Sequence, residues 1–91
     1  MEIVINNCYG GFSVSEEAVK FFDMTSEYAD IDRQDPRLIK KVKENPKWVS
    51  GKFAYLKVVD IPDEATDWYI DEYDGLECIM YVLNGKICHI C

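Results

Sequence analysis

The dipeptide Asn84-Gly85 lies between two apolar runs near the end of the chain. A two-residue β-hairpin turn of type I′ needs positive φ at both central positions, and Asn followed by Gly tolerates this well. The sequence therefore predicts a C-terminal β-hairpin in which residues 78–83 pair with residues 86–90. This signal constrains the fold strongly, because such a turn also sets the register of the two strands.

The remaining elements are predicted from local apolar patterns and from helix-start signals. Ser15 followed by Glu16 and Glu17 favours a helix N-terminus, and so does Asp35 followed by Pro36. Strands are predicted over residues 2–6, 52–61 and 68–73, helices from 15 to about 28 and over 36–44, a loop over 48–51 and a second turn at Asp74-Gly75. The order β-α-α-β-β-β-β predicts a single-domain α+β fold, with two helices on one face of a mostly antiparallel sheet.

Residues 6–17 join the first strand to the first helix and contain the adjacent glycines Gly10 and Gly11. Glycine permits positive φ or a close approach of the backbone to a ligand. Because a helix N-terminus has unpaired N–H groups, a strand, a glycine turn and a helix start can together bind an anion. The signal is weak by itself, since neither G-x-G-x-x-G nor a Walker lysine is present. A purely structural turn, with Tyr9 and Phe12 in the core, is the alternative.

The net charge of −7 argues against a general DNA- or RNA-binding protein, which needs basic surface to displace counterions. The charge is unevenly distributed: six bases lie between residues 33 and 47, whereas residues 60–77 hold eight acids and no base. These segments can be solvated faces that keep the protein in solution. They can also form a basic surface for an anionic ligand and an acidic surface for a basic partner. The sequence leaves both interpretations open.

The compartment is predicted from what the chain lacks. Its first residues read as a strand rather than as a basic, apolar leader, and no apolar run approaches the ~18 residues of a membrane span. We therefore expect a cytoplasmic protein. Because cytosolic thiols are kept reduced, the four cysteines are expected to be free.

The tail sequence Cys88-His89-Ile90-Cys91 looks metal-binding, but it lies on a predicted strand, where successive side chains alternate between faces. A zinc knuckle needs a turn between its cysteines and four ligands in all. Cys8 and Cys78 in principle complete such a site, and Cys8 with His89 in principle forms a nucleophile pair; both are minor alternatives. The sequence predicts no metal, no cofactor and no catalytic residue.

Several short motifs resemble those of a known family. They are Cys8-Tyr9-Gly10-Gly11-Phe12 followed by Ser15, Asp32-Arg33 with Asp35-Pro36 and Leu38, Ile61-Pro62-Asp63, Trp68 with Ile70, and Glu72-Tyr73-Asp74-Gly75 followed by Glu77. Up to Glu77 the chain resembles a family of small phage and prophage proteins. The tail departs from that family, many of whose members end in a His-Arg pair and a Trp. The resemblance implies a phage accessory protein that counters bacterial defence, either by capturing a nucleotide signal or by binding a defence protein.

The first function hypothesis is a non-catalytic protein that sequesters a nucleotide-type immune signal in the host bacterial cytoplasm. The glycine turn would hold phosphate, an arginine would add charge, and aromatic rings would stack on the base. The candidate ligand-binding residues are Tyr9, Gly10, Gly11, Phe12, Ser13, Arg33, Arg37, Tyr73, Asp74 and Glu77. A protein this small encloses little volume, so we expect a homo-oligomer with the site at a subunit interface.

The alternative hypothesis is an acidic inhibitor that binds a host defence protein directly, such as a CRISPR or other nuclease. Residues 60–77 would then imitate the charge of nucleic acid and cover a basic surface. An enzyme is the weakest of the three hypotheses, because no acid/base or nucleophile constellation is recognisable. None of them involves direct DNA or RNA binding, or a membrane.

Overall fold

The computed structural model describes residues 1–91, and its elements follow the order β1 (Glu2–Asn6), α1 (Glu16–Phe21), α2 (Pro36–Glu44), α3 (Pro46–Val49), β2 (Leu56–Asp60), β3 (Asp67–Tyr73), β4 (Leu76–Leu83) and β5 (Lys86–Ile90). The predicted α+β class, the antiparallel pairing and the C-terminal hairpin are confirmed. The strands divide between two sheets rather than forming one. β1 pairs with β2, and the second sheet has the order β3-β4-β5.

The β1-β2 sheet is the central of three layers, and β1 is buried on both faces. Val4 belongs to one core cluster, which it shares with residues of the three helices. Ile3 and Ile5 belong to a second cluster, which they share with Ile79 of β4. A strand covered on both faces is apolar throughout, and this explains the continuous apolar run at the start of the chain. The helices and the far face of the β3-β4-β5 sheet therefore lie on opposite sides of the molecule.

Helix α1 begins where the sequence predicts, because Ser15 has an extended backbone and its Oγ accepts a hydrogen bond from the Ala18 N–H at 3.1 Å. The prediction that this helix reaches residue 28 is wrong. The helix stops after Phe21, and Asp23 adopts a φ of 54°. The Met24 N–H donates to the Val19 carbonyl at 2.9 Å, which is the bond that closes a Schellman motif.

Two prolines mark the next two helices. Asp35 caps α2 by accepting from the Arg37 N–H at 2.8 Å, as predicted. The loop predicted over residues 48–51 is wrong at its start, because residues 48 and 49 belong to the short helix α3. Asn45 ends α2 and also caps α3, where it accepts from the Trp48 N–H at 3.2 Å. The strand predicted from residue 52 begins only at Leu56, after a turn.

Both predicted two-residue turns are present, and both have the positive φ values that type I′ turns need. Asn84 and Gly85 have φ of 53° and 76°, whereas Asp74 and Gly75 have 51° and 88°. The turns fix the register, so Tyr73 pairs with Leu76 in the first hairpin. Cross-strand neighbours then share a face, which divides the three-stranded sheet into an inner and an outer face.

The expectation of four free thiols is wrong, because Cys78 and Cys91 form a disulfide. The hairpin register pairs Ile79 with Ile90, so Cys78, which precedes Ile79, lies opposite Cys91, which follows Ile90. Their Cα atoms are 4.3 Å apart. Cys8 and Cys88 are free and half-buried. The predicted two-residue turn already places residue 78 opposite residue 91; the bond was missed because a reducing compartment was expected and because Cys88 and Cys91 were considered together as a metal-binding pair.

We expect denatured, unreduced protein to titrate two thiols rather than four. Replacing Cys91 by serine should lower the free energy of unfolding by about 2 kcal/mol, because the bond closes a short loop that the hairpin already orders in part. Cys88→Ser is the matched control, since it removes a thiol from the same strand without opening the disulfide. Urea titrations of the two variants and a thiol assay measure this; four reactive thiols in unreduced protein would contradict the bond.

Candidate functional site

The two glycine-containing motifs, far apart in sequence, meet in the structure. We call this contact the glycine junction: residues 8–12 packed against residues 73–77. A Cβ added at Gly75 would overlap the backbone of Tyr9 and Gly11. Asn6 joins the two segments, because its Nδ2 donates to the carbonyls of Cys8 and Gly75, each at 2.7 Å. The two backbone segments are therefore in direct contact at Gly75, which leaves no space for a ligand between them.

An ion pair lies beneath the glycine junction. Arg33 donates through Nη1 and Nη2 to the two carboxylate oxygens of Glu77, at 2.7 and 3.1 Å. The side chains are 20% and 7% exposed, respectively. Glu77 also accepts from the Asn6 N–H at 2.9 Å, and the guanidinium carbon of Arg33 lies 3.5 Å from the centroid of the Phe12 ring. Two of the predicted ligand-binding residues, one basic and one acidic, therefore neutralise each other and hold the layers together.

Most of the other predicted ligand-binding residues also lie at the glycine junction. Tyr9 and Gly10 are exposed in the first segment of the glycine junction, and Tyr73 and Asp74 are exposed in the second. The structure therefore brings together Tyr9, Gly10, Gly11, Phe12, Arg33, Tyr73, Asp74 and Glu77. Two predicted residues are absent from this group.

Ser13 is buried, and its backbone carbonyl accepts from the Gly51 N–H at 3.0 Å. Arg37 is on α2, where it pairs with Asp35 and covers the ring of Phe22. Arg37 was predicted to join the glycine turn because of its charge, and Ser13 because of its proximity along the chain. The fold directs them to the helical layer instead.

The start of α1 does not present free N–H groups in the way the sequence suggested. Ser15 Oγ already accepts from the Ala18 N–H, and Glu16 and Glu17 occupy the first turn. A helix of six residues has few aligned peptide dipoles. The helix start that was expected to bind phosphate therefore has one N–H already bonded, two carboxylates in its first turn and a weak dipole.

Ion pairs and hydrogen bonds shift the pKa of three groups. Hydrogen bonds from Arg37 hold the pKa of Asp35 below its ordinary value. Hydrogen bonding to Asp63, and then to Asp60, raises the pKa of the Met1 ammonium, which in turn lowers the pKa of Asp63. Because the folded-state pKa of Asp35 is depressed, the stability it contributes is present above its ordinary pKa and is lost as pH falls through the lowered value.

A second candidate site is the outer face of the three-stranded sheet. The register brings one set of side chains to that face. Apart from Asp67, Asp71 and the Cys78–Cys91 disulfide, its members, which define the outer face, are Tyr69, Tyr73, Leu76, Met80, Val82, Ile87 and His89. Tyr69, Tyr73 and Ile87 are 58, 75 and 74% exposed. The inner face packs on β1-β2 through Trp68, Ile70 and Ile79. The outer face thus presents an apolar surface to solvent.

Unpaired carboxylates border the outer face. We call them the acidic rim: Glu64, Asp67, Asp71 and Asp74. All four are exposed, and none takes part in an ion pair. Glu72 is also exposed, but the register places it on the inner face, opposite Glu77, and it accepts from the Gly75 N–H at 2.6 Å. Of the eight acids predicted to form an acidic surface over residues 60–77, Glu77 is buried, and Asp60 and Asp63 bind the Met1 ammonium. The acidic surface is therefore smaller than the sequence suggested, and it is concentrated along β3.

The apolar residues of the outer face were not among the residues predicted to form a site. The signal was present in the run Leu76-Glu77-Cys78-Ile79-Met80-Tyr81-Val82-Leu83, which is apolar at positions of both parities. A strand with one solvated face normally alternates apolar and polar residues. An apolar run at the end of a sheet therefore indicates either a second covering layer or an exposed apolar face, and an exposed apolar face is characteristic of an interaction surface.

No group of three or more His, Cys, Asp or Glu side chains is arranged to hold a metal ion. None of the helices has both the length and the apolar character needed to cross a membrane. The fold and the two candidate sites define a three-layer α+β domain with one exposed sheet face. Comparison with family models, curated proteins and solved structures gives no match for this chain.

Proposed function

We propose that this chain is a non-catalytic binding protein that covers a basic surface of another protein with the outer face and the acidic rim. The observation that carries the proposal is the combination of exposed Tyr69, Tyr73 and Ile87 with the four unpaired carboxylates of the acidic rim. Aromatic and aliphatic residues at the centre of a patch, with charges at its edge, are typical of protein interfaces. Carboxylates at the edge favour a partner rich in Lys or Arg and accelerate its approach.

The resemblance to phage proteins directs this proposal to bacterial defence proteins, since many of these bind nucleic acid through basic surfaces. The proposed compartment is accordingly the cytoplasm of the host. The redox state of Cys78 and Cys91 in rapidly alkylated cells tests this part of the proposal. Cytosolic thiols are normally reduced, so a fully oxidised pair would argue for an oxidising compartment.

Capture of a nucleotide signal stays a second candidate function. The observation in its favour is that Tyr9 and Tyr73, 66 and 75% exposed, belong to the two segments that meet at the glycine junction. Two exposed rings are suited to stacking on a base. Against it, the guanidinium of Arg33 is engaged by Glu77, so phosphate would have to displace a carboxylate. Release of a stoichiometric nucleotide from heat-denatured protein would favour this candidate.

A photocrosslinking amino acid at position 69 tests the proposed function in a bacterial host. Position 28 is the matched control, because Tyr28 is 71% exposed and lies beside Val19 and Lys20 of α1. We expect a crosslink to one basic protein from position 69 and none from position 28, and we expect it to weaken as salt screens the charges. Equal crosslinking from both positions, or none from position 69, would reject the outer face as the binding surface.

A homo-oligomer was expected from the small size of the protein and stays a prediction. Two outer faces docked on each other would bring acidic rims together, and like charges in an interface are unfavourable. We therefore propose a different protein, rather than a second copy, as the partner of this face. Light scattering measures the oligomeric state directly.

A further inference from the structure

Strand β3 is an edge of its sheet, with no strand on its far side. The two-residue turn after Tyr73 makes Tyr73 and Leu76 a hydrogen-bonded pair. Bonded and non-bonded pairs alternate along an antiparallel ladder. The N–H and C=O groups of Trp68, Ile70 and Glu72 therefore point away from β4.

The protein itself satisfies only part of this edge. Asp67 Oδ1 accepts from the Trp68 N–H at 2.9 Å and so covers the first outward amide. No side chain accepts from the amides of Ile70 and Glu72. An edge with free donors and acceptors is a template for another strand. The open part of the template spans residues 70–72.

The charges along β3 determine which strand fits this template. The acidic rim runs along it, and no base lies between residues 60 and 77. Natural edge strands are often protected from self-association by charge. Pairing of β3 with β3 of a second copy would bring two carboxylate-bearing strands together, and like charges that lie close across a strand pair are destabilising. A segment bearing Lys or Arg would meet opposite charge instead.

We propose that an extended, Lys/Arg-bearing segment of a partner protein adds to β3 as a fourth strand. Its main chain bonds to Ile70 and Glu72, as in other cases of strand addition. Its cations are the alternate side chains that lie on the outer face, near Asp71 and beside Tyr69 and Tyr73. This inference rests on the proposed function, because it names the kind of segment that the same face would bind.

A synthetic peptide, Thr-Lys-Val-Arg-Val-Lys-Val-Thr, tests the inference on the intact chain. Amide hydrogen exchange is followed by NMR with and without the peptide. We expect exchange of the Ile70 and Glu72 amides to slow by about tenfold or more, since each gains a hydrogen bond. The amides of Tyr69 and Asp71 already bond to β4 and should change little by comparison.

Charge is tested separately with matched variants. Asp71→Lys should weaken peptide binding by about tenfold, whereas Asp30→Lys, with the same change of net charge in an exposed loop, should leave it unchanged. A peptide with Glu at the three basic positions should not bind.

The peptide experiments test this inference, and the crosslinking experiment tests the proposed function, so failure of one is distinguishable from failure of the other. Absence of peptide binding, or peptide binding without protection of Ile70 and Glu72, overturns strand addition. The crosslink from position 69 still decides whether the outer face binds a protein. Peptide-induced self-association detected by light scattering would also overturn the inference, because the template would then accept a second copy.

Discussion

Replacing Glu77 by alanine should lower the free energy of unfolding by about 3–5 kcal/mol, the cost of removing one partner from a buried ion pair. The variant leaves the Arg33 guanidinium without its carboxylate and the Asn6 N–H without its acceptor. Both groups would remain largely shielded from water by the central sheet and Phe12. Urea unfolding followed by circular dichroism measures the change.

Asp71→Ala is the matched control for Glu77→Ala. Asp71 is a carboxylate on the neighbouring strand that is exposed and makes no ion pair, so its replacement should change stability by no more than about 0.5 kcal/mol. The double variant Arg33→Met with Glu77→Leu removes both charges. It should lower the free energy of unfolding by less than the sum of the losses measured for Arg33→Met alone and Glu77→Leu alone. A loss below about 1 kcal/mol for Glu77→Ala would show that the ion pair does not hold the layers together.

Replacing Gly75 by alanine should cost about 3 kcal/mol or more, because two effects add. The φ of 88° is a left-handed conformation that L-residues resist. In addition, the new Cβ would overlap the backbone of Tyr9 and Gly11, and backbone cannot rotate away as a flexible side chain does. The glycine junction would have to open.

Gly85→Ala separates these two effects. Gly85 is the equivalent residue of the other two-residue turn, with a φ of 76°, and a Cβ there meets nothing within 4 Å. The control should therefore cost only the conformational part, about 1 kcal/mol. Equal losses for the two variants, measured by urea unfolding, would mean that the glycine junction is not close-packed in solution.

The candidate site was only partly predictable, and Arg33 illustrates the reason. The sequence showed an arginine beside a turn-rich segment, which is compatible with a free charge for phosphate. Its partner, Glu77, is 44 residues away, in a segment that looked uniformly acidic. Only the packing of β4 against β1 shows that this one carboxylate turns inward. A prediction based on charge density treats all eight acids alike, whereas burial distinguishes them.

Features that depend on neighbouring residues were determined by the sequence itself. The turns at Asp74-Gly75 and Asn84-Gly85, the caps at Ser15 and Asp35, and the register of the last hairpin follow from conformational preferences and hydrogen bonds within a few residues. The end of α1 belongs to the same local class. It was missed because Asp23 occupies the position where glycine is the usual signal.

Only the tertiary structure decided how these local pieces combine. The division of five strands into two sheets, the pairing of Arg33 with Glu77 and the exposed outer face all depend on which apolar surface covers which. Local preferences carry no information on that choice, because each strand could bury either face until another layer covers it. The central position of β1 determines the arrangement of the layers. Because β1 buries apolar residues on both faces, the helices pack on one side of it and the three-stranded sheet packs on the other.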